Sequence, residues 1–383
     1  MASDRTKGEE RRPVAPLGFP RSAAELDPRI VPDVLSAISR IAPGTPLRQG
    51  IDDIIRASEG ALIVIGDPEE LAFMFSGGIR LDHPFAPQLL YELAKMDGAI
   101  IVNSAAGKIT HANVQLMPDP TIPSSETGTR HRTAERVAKQ TNSLVISISQ
   151  QRETVTLFVG TNRYQLDPIA DVLAKTNQAL ATLETYRARL DQVLTRLTAL
   201  EFQNAVMLDD VLVVLQRAEL TTRMADYIER ACTELGSEGR LIRMQLEELV
   251  SEVPAEKAAI LFDYHAEGGA DRVAEGLEAL AQLPYQQLLE FELLAILGYP
   301  ATTDPLDHSV SPRGYRVLRH IPRLPEGVVQ RLVAELSGLD AIVRASQRDL
   351  EAIEGVGSVR AREIREGLRR LQEHNLVDRY LQA

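Results

Sequence analysis

Cysteine is almost absent from this chain of 383 residues: Cys232 stands alone. One thiol excludes an internal disulfide framework and any zinc site built from several cysteines. Its setting, "IERACTEL", reads as a helix with a small apolar side chain turned inward. A cytoplasmic location is the expectation that follows. Long apolar runs are missing too. No stretch of about eighteen apolar residues occurs, so no membrane span is expected. The opening "MASDRTKGEERRPVAPLGFPRSAAEL" lacks the apolar centre of a signal peptide, and residues 1–25 are expected to form a flexible tail. Two familiar phosphate loops are also lacking: there is no GxxxxGK[ST], and no GxGxxG follows a strand.

Positive charge is scarce overall. The formal net charge of −12 argues against nucleic-acid binding along the whole chain. The deficit is uneven, however. From Val310 onward there are thirteen arginines and no lysines against ten acidic residues. Arginine without lysine favours planar, bidentate contact with phosphate over a merely solvated face.

The chain divides into three regions after the tail. Residues 26–166 mix strands and helices. "GALIVIG" (Gly60–Gly66), "GAIIVN" (Gly98–Asn103), "KITHANVQL" (Lys108–Leu116), "SLVISISQ" (Ser143–Gln150) and "TVTLFVG" (Thr154–Gly160) predict strands, the last two as a hairpin. "APQLLYELAKM" (Ala86–Met96) and "RTAERVAKQT" (Arg132–Thr141) predict helices. The result is an α/β domain with a mixed central sheet. Residues 167–308 predict a helical spine. Ile169, Val172, Thr176, Leu180, Leu183, Leu190, Leu194 and Leu197 form an apolar stripe with a gap at Arg187. Residues 309–383 predict a small all-α domain in which two segments, around "PRLPEG" and "EGVGSV", each turn one helix into another.

The second turn carries the chemistry of a phosphate site. Gly355 and Gly357 bracket Val356 and let the backbone expose its amides. A helix starts near Ser358 or Val359, with Arg360, Arg362 and Arg365 close by. An ordinary glycine turn between helices has the same letters. The first turn holds Pro322 and Pro325, which lack N–H donors and favour a packing role.

In the α/β region, Asp97 and Gly98 sit at a helix-to-strand junction, where a carboxylate can bind a hard cation and a glycine lets a planar group approach. Ser76, Gly77 and Gly78 form another exposed turn. "GTRHRTAERVA" (Gly128–Ala138) places Arg130, His131 and Arg132 at a helix start. Thr127 or Thr129 can cap that helix, and its free amides favour anions. On an extended backbone Arg130 and Arg132 would alternate in direction and flank a polyphosphate. His131 can donate to a phosphate or pack against a neighbouring chain. The bland alternative is a solvated basic cap. His83 and His111 match no metal-ligand spacing and are expected to be structural or surface residues.

"DGA" (Asp97–Ala99), "ANVQL" (Ala112–Leu116) and "GTRHRTAERVA", in this order and spacing, resemble the diadenylate cyclase family. The "GVG" turn resembles a helix-hairpin-helix motif, with "PRLPEG" as a degenerate partner. The order of α/β domain, helical spine and helix-hairpin-helix domain resembles that family's DNA-scanning branch. The resemblance implies an enzyme that joins two ATP into cyclic di-AMP with release of two pyrophosphates. It implies Mg²⁺ or Mn²⁺ at Asp97, adenosine against Gly98 and Leu116, and Ala99 as a further ATP-binding residue. It places the triphosphate at Thr129, Arg130, His131, Arg132 and Thr133, with Ser76 and Gly77 on a neighbouring loop. Through Gly355, Val356, Gly357, Ser358, Arg360 and Arg362 it implies contact with a DNA backbone. It also implies a homo-octamer, and branched DNA that inhibits synthesis. A non-catalytic DNA scaffold and a nucleotide sensor are the alternatives.

Overall fold

The computed structural model describes residues 32–288 and 292–381, and the tail expected at residues 1–25 lies outside them. The chain forms two compact units. One joins Asp27–Ala181 to Asp226–Glu247, the other Thr182–Ala225 to Glu248–Ala383.

The first unit is built on one sheet. Its strands are β1 (Ala61–Ile65), β2 (Phe75–Ser76), β3 (Ile79–Pro84), β4 (Ala99–Val102), β5 (Lys108–Leu116), β6 (Leu144–Ser149), β7 (Thr154–Val159) and β8 (Asn162–Gln165). They are ordered β2-β5-β4-β1-β6-β7-β8, with β3 also paired to β5. β1 and β4 run parallel, Leu62 opposite Ala99, while the other pairs are antiparallel. The sheet is therefore mixed, as expected, and β6 and β7 form the expected hairpin. β2, β3 and β8 were not legible as strands. All six residues of β3 are exposed, so it has no apolar alternation and is held by its pairing with β5.

β1 shows how the core is shared. Ala61, Ile63 and Ile65 face α1 (Pro32–Arg40), α2 (Pro46–Arg56) and α3 (Pro87–Ala94). Leu62 and Val64 face the other way, against Ala134, Val137 and Ala138 of α4 (Thr129–Thr141). A strand covered on both faces has no polar side, which explains the unbroken apolar run. α2 starts with Pro46 after Thr45, whose side chain accepts the Arg48 N–H at 3.2 Å. α4 ends at Asn142, left-handed at φ 55°.

Two long helices, α5 (Ile169–Gln203) and α6 (Leu208–Leu235), contribute to both units, and α7 (Arg240–Val250) follows them. On α5 the stripe residues Val172, Thr176, Leu180, Leu183, Leu190 and Leu197 are buried, and Tyr186 fills the gap at Arg187. Cys232 on α6 is fully buried, and burial pushes its thiol up to about 11. The second unit adds α8 (Val253–Tyr264) and α9 (Ala270–Gln282), then two single-turn helices, Tyr285–Leu288 and Leu293–Ile296, and towards the C-terminus α10 (Tyr315–Arg319), α11 (Glu326–Glu335), α12 (Leu339–Arg344), α13 (Gln347–Glu351) and α14 (Ser358–Leu381). Polar groups fix α10 in this unit. The buried Asp263 carboxylate accepts the N–H groups of Gly314, Tyr315 and Arg316 at 2.7, 2.7 and 2.9 Å. The fully buried Arg316 guanidinium pairs with Glu201 and donates to Thr198 Oγ1 at 2.6 Å.

Candidate functional site

A cavity of about 640 Å³ opens where β1 and β4 begin and β5 and β6 end. Asp97, Gly98 and Ala99 line it from the turn between α3 and β4, and Val114, Gln115 and Leu116 from the end of β5. Gly128, Thr129, Arg130, His131 and Thr133 line it from the start of α4. Leu62 supplies floor, and Ser149, Gln150 and Gln151 a polar wall. Eight of the expected residues thus meet in one place: Asp97, Gly98, Ala99, Leu116, Thr129, Arg130, His131 and Thr133. Arg132, Ser76 and Gly77 are not among the lining residues. Ser76 pairs with Gln115 at the neighbouring strand edge, and Gly77 turns in open space at φ 68°. The floor is apolar (Leu62, Val114, Leu116) and the rim polar, the division a nucleoside phosphate needs.

The α4 start differs from the expected geometry in two ways. Its N-cap is Gly128, not Thr127 or Thr129, and no side chain caps it. The Arg–His–Arg run also lies inside the first helical turn, not on an extended lead-in. Successive side chains then diverge by about 100°. Arg130 and His131 line the cavity, whereas Arg132 turns back to donate to Glu126 O at 3.3 Å and Thr127 O at 3.1 Å. The first turn leaves amides without helical acceptors, so this end of α4 carries partial positive charge beside the cavity.

Arg130 rests against Gly60, where a Cβ would collide with its guanidinium. His131 sets its ring edge to Phe158, centroids 6.4 Å apart. Burial, opposed by Glu126 and reinforced by Arg163, Arg130 and Arg152, holds this imidazole below its usual value. Gly98 has a packing reason to be glycine: a Cβ there would lie 2.7 Å from the Asn113 backbone. Asn113 is itself left-handed, at φ 54°, beside the register shift between β4 and β5. Asp97 is exposed at the rim. Among the described residues, no three His, Cys, Asp or Glu side chains cluster as a metal site. His111 packs edge-on to Phe75 at 5.4 Å, and His83 lies exposed beside Pro84.

The segment between β5 and α4 is fastened along one face of α4. Buried Glu135 accepts from Ser124 Oγ, from Ser125 N at 3.0 Å and from Lys139 Nζ at 2.7 Å. Burial raises this carboxyl, but Lys139, Ser124 and Ser125 outweigh it and hold the group below its usual value. Arg136 donates to Ile122 O at 2.9 Å, Lys139 to Pro123 O at 2.9 Å, and Gln140 accepts from Asp119 N at 3.0 Å.

In the C-terminal turn, Gly355 has φ 83°, Val356 is buried as an anchor, and α14 begins at Ser358. Arg360 donates to Gly355 O and Arg331 to Glu354 O at 2.7 Å, so both brace the turn from within. Arg362, Arg365 and Arg369 instead line an open cavity of about 430 Å³ with Gln347 and Gln372.

Comparison with known proteins matches these parts to one family. The family model described as "DisA bacterial checkpoint controller nucleotide-binding" covers residues 48–163, and the "DisA bacterial checkpoint controller linker region" covers residues 166–306. The DNA integrity scanning protein DisA of Carboxydothermus hydrogenoformans is 51% identical over 342 residues, 89% of this chain and 97% of that one. The chain belongs to the DisA family. DisA proteins of Bacillus pumilus (47% over 355 residues, 91% of this chain and 97% of that one) and Symbiobacterium thermophilum (48% over 345, 90% and 97%) are also similar. Every lining residue of the large cavity, from Leu62 to Gln151, falls within the DisA nucleotide-binding match. Neither model extends past residue 306. No helix among the described residues is long and apolar enough to cross a membrane.

Beyond Gly128, the residues missed by inspection of the sequence are Gly60, Leu62, Val114, Gln115 and Ser149–Gln151. Ser149–Gln151 had a signal, the polar tip of an expected hairpin. Gly60 had none, because it contributes an absence of side chain.

Proposed function

We propose that the chain is a diadenylate cyclase that joins two ATP into cyclic di-AMP and releases two pyrophosphates. One observation carries this: the Asp97–Ala99 turn and the first turn of α4, with Arg130 and His131, meet across one cavity of the DisA nucleotide-binding domain. Leu62, Val114 and Leu116 take the adenosine. Free amides of α4, the Thr129 and Thr133 hydroxyls and Arg130 hold the triphosphate, and His131 donates a hydrogen bond to it. Each 3′-hydroxyl oxygen attacks the α-phosphorus of the facing nucleotide, the bond to pyrophosphate breaks, and the hydroxyl proton leaves toward Asp97. Alignment and charge neutralisation do most of the work in such a transfer.

Mg²⁺ or Mn²⁺ fits Asp97 because these ions take one or two protein carboxylates and complete their shells with phosphate and water. When bound, the metal neutralises charge on the phosphates. A single cavity of this size takes one ATP, so the reaction needs a second copy facing it, and a homo-octamer supplies that arrangement.

The C-terminal helices act as a helix-hairpin-helix module. The amides around Gly355–Ser358 hold a DNA backbone phosphate, and Arg362 and Arg365 add charge. Branched DNA bound there lowers cyclase turnover. The test is to incubate the purified chain with ATP and Mn²⁺ and search for cyclic di-AMP by mass. ATP binding without product would make the chain a nucleotide sensor, and neither would leave a DNA scaffold.

A further inference from the structure

Arg130, His131 and Arg132 are consecutive, yet they have different neighbours. Arg130 and His131 line the cavity, while Arg132 spends two donors on the carbonyls of Glu126 and Thr127, just before the N-cap. One helical turn on, Glu135 accepts from Ser124 and Ser125. Arg136, Lys139 and Gln140 hold Ile122, Pro123 and Asp119 in turn. Positions 132, 135, 136, 139 and 140 follow the three-and-four spacing of one helix face. That face is thus dedicated to one segment, residues 119–127. The segment leads directly into Gly128, whose backbone opens the cavity wall. Arg163 on β8 also holds the segment, through an ion pair with Glu126.

We infer that Arg132 and Glu135 are positioning residues, which clasp residues 119–127 to α4 and thereby set Gly128 and the amides of the first helical turn against the nucleotide. Arg132 does not touch phosphate. The role rests on the cyclase proposed above, and separates Arg132 from Arg130 within a run whose letters treat them alike.

The separation is measurable in the full-length chain. Backbone amide exchange of residues 119–128 is recorded for wild type, Arg132→Ala, Glu135→Gln and Arg130→Ala, with KM for ATP and kcat for cyclic di-AMP. Glu135→Gln keeps the side-chain size and guards against loss of the fold. Arg132→Ala and Glu135→Gln are expected to speed exchange in 119–128 at least tenfold and to raise KM about tenfold. Arg130→Ala is expected to raise KM with exchange there unchanged. The double variant Arg132→Ala/Glu135→Ala is expected to raise KM no more than threefold beyond the worse single variant, because both release one segment. Slow exchange in Arg132→Ala together with a KM as poor as that of Arg130→Ala would make Arg132 a phosphate ligand and overturn the inference. Fast exchange with unchanged KM and kcat would overturn it too. Failure of the underlying cyclase shows separately, as absence of product from wild type.

Discussion

Gly60 lies so close to Arg130 that a methyl group on its Cα would occupy the place of the guanidinium Nη1. The group in the way is the tip of a flexible side chain, with the Ile148 carbonyl 3.2 Å from the same point. Gly60→Ala should therefore move Arg130 more than it harms the fold. The expected outcome is a stability loss of about 1 kcal/mol or less. ATP affinity is expected to fall about tenfold, or about 1.4 kcal/mol. Thermal melting and titration calorimetry check the two halves, and unchanged affinity would show that Arg130 binds ATP from elsewhere or not at all.

Asp97 is exposed, so a substitution there tests its chemistry with little cost to the fold. Asp97→Asn should lower cyclic di-AMP formation by about 100-fold or more, with an unchanged melting temperature. Turnover near the wild-type rate would remove Asp97 from the mechanism.

His131 predicts a pH dependence of stability. Its folded value lies below the unfolded one, because burial disfavours the charged ring. Well above pH 6.5 neither state is protonated there and the group contributes nothing. As pH falls below about 6.5, the unfolded chain takes up the proton first and the fold loses stability. Denaturant midpoints at pH 7.5 and 5.5 should therefore differ less in His131→Gln than in wild type.

Asp263 has the opposite sign. Burial, with Glu201 adding, pushes its carboxyl up to about 7 against three amide hydrogen bonds. The folded state then holds more protons than the unfolded one between about pH 4 and 7. Stability from this group is full below pH 4 and is lost as pH rises through 7, by at most about 4 kcal/mol. Unfolding titrations across that range should show the slope in wild type and not in Asp263→Asn.

For DNA, the Arg365→Ala/Arg369→Ala pair tests the arginine-lined cavity on α14. If both side chains meet phosphate, affinity drops and the slope of log K against log salt shrinks by about 2. Cyclase turnover without DNA should be unchanged. A slope that stays the same would confine phosphate contact to the hairpin.

How much was legible in the sequence varies with what each residue contributes. β1 and β4 were plain because both of their faces are buried and their letters are apolar throughout, and β6 and β7 because β-branched and apolar letters dominate them with only small Ser and Thr hydroxyls between. β3 was not, since its six exposed residues carry no pattern and its place comes from pairing. Both halves of the candidate site were visible as motifs. The orientation of Arg132 was not legible, because α4 starts three residues before the Arg132–Thr141 helix that the letters predict. Gly128 caps it without a side-chain bond, so the usual start signal is missing.

The solitary thiol has a practical consequence. Cys232 is fully buried, and its reactive thiolate form is suppressed far above neutral pH. A maleimide dye offered to the native chain at pH 7 has no competing target. One cysteine introduced at an exposed position such as Thr121 would carry a fluorophore on residues 119–127, and the movement of that segment during turnover could be followed in real time.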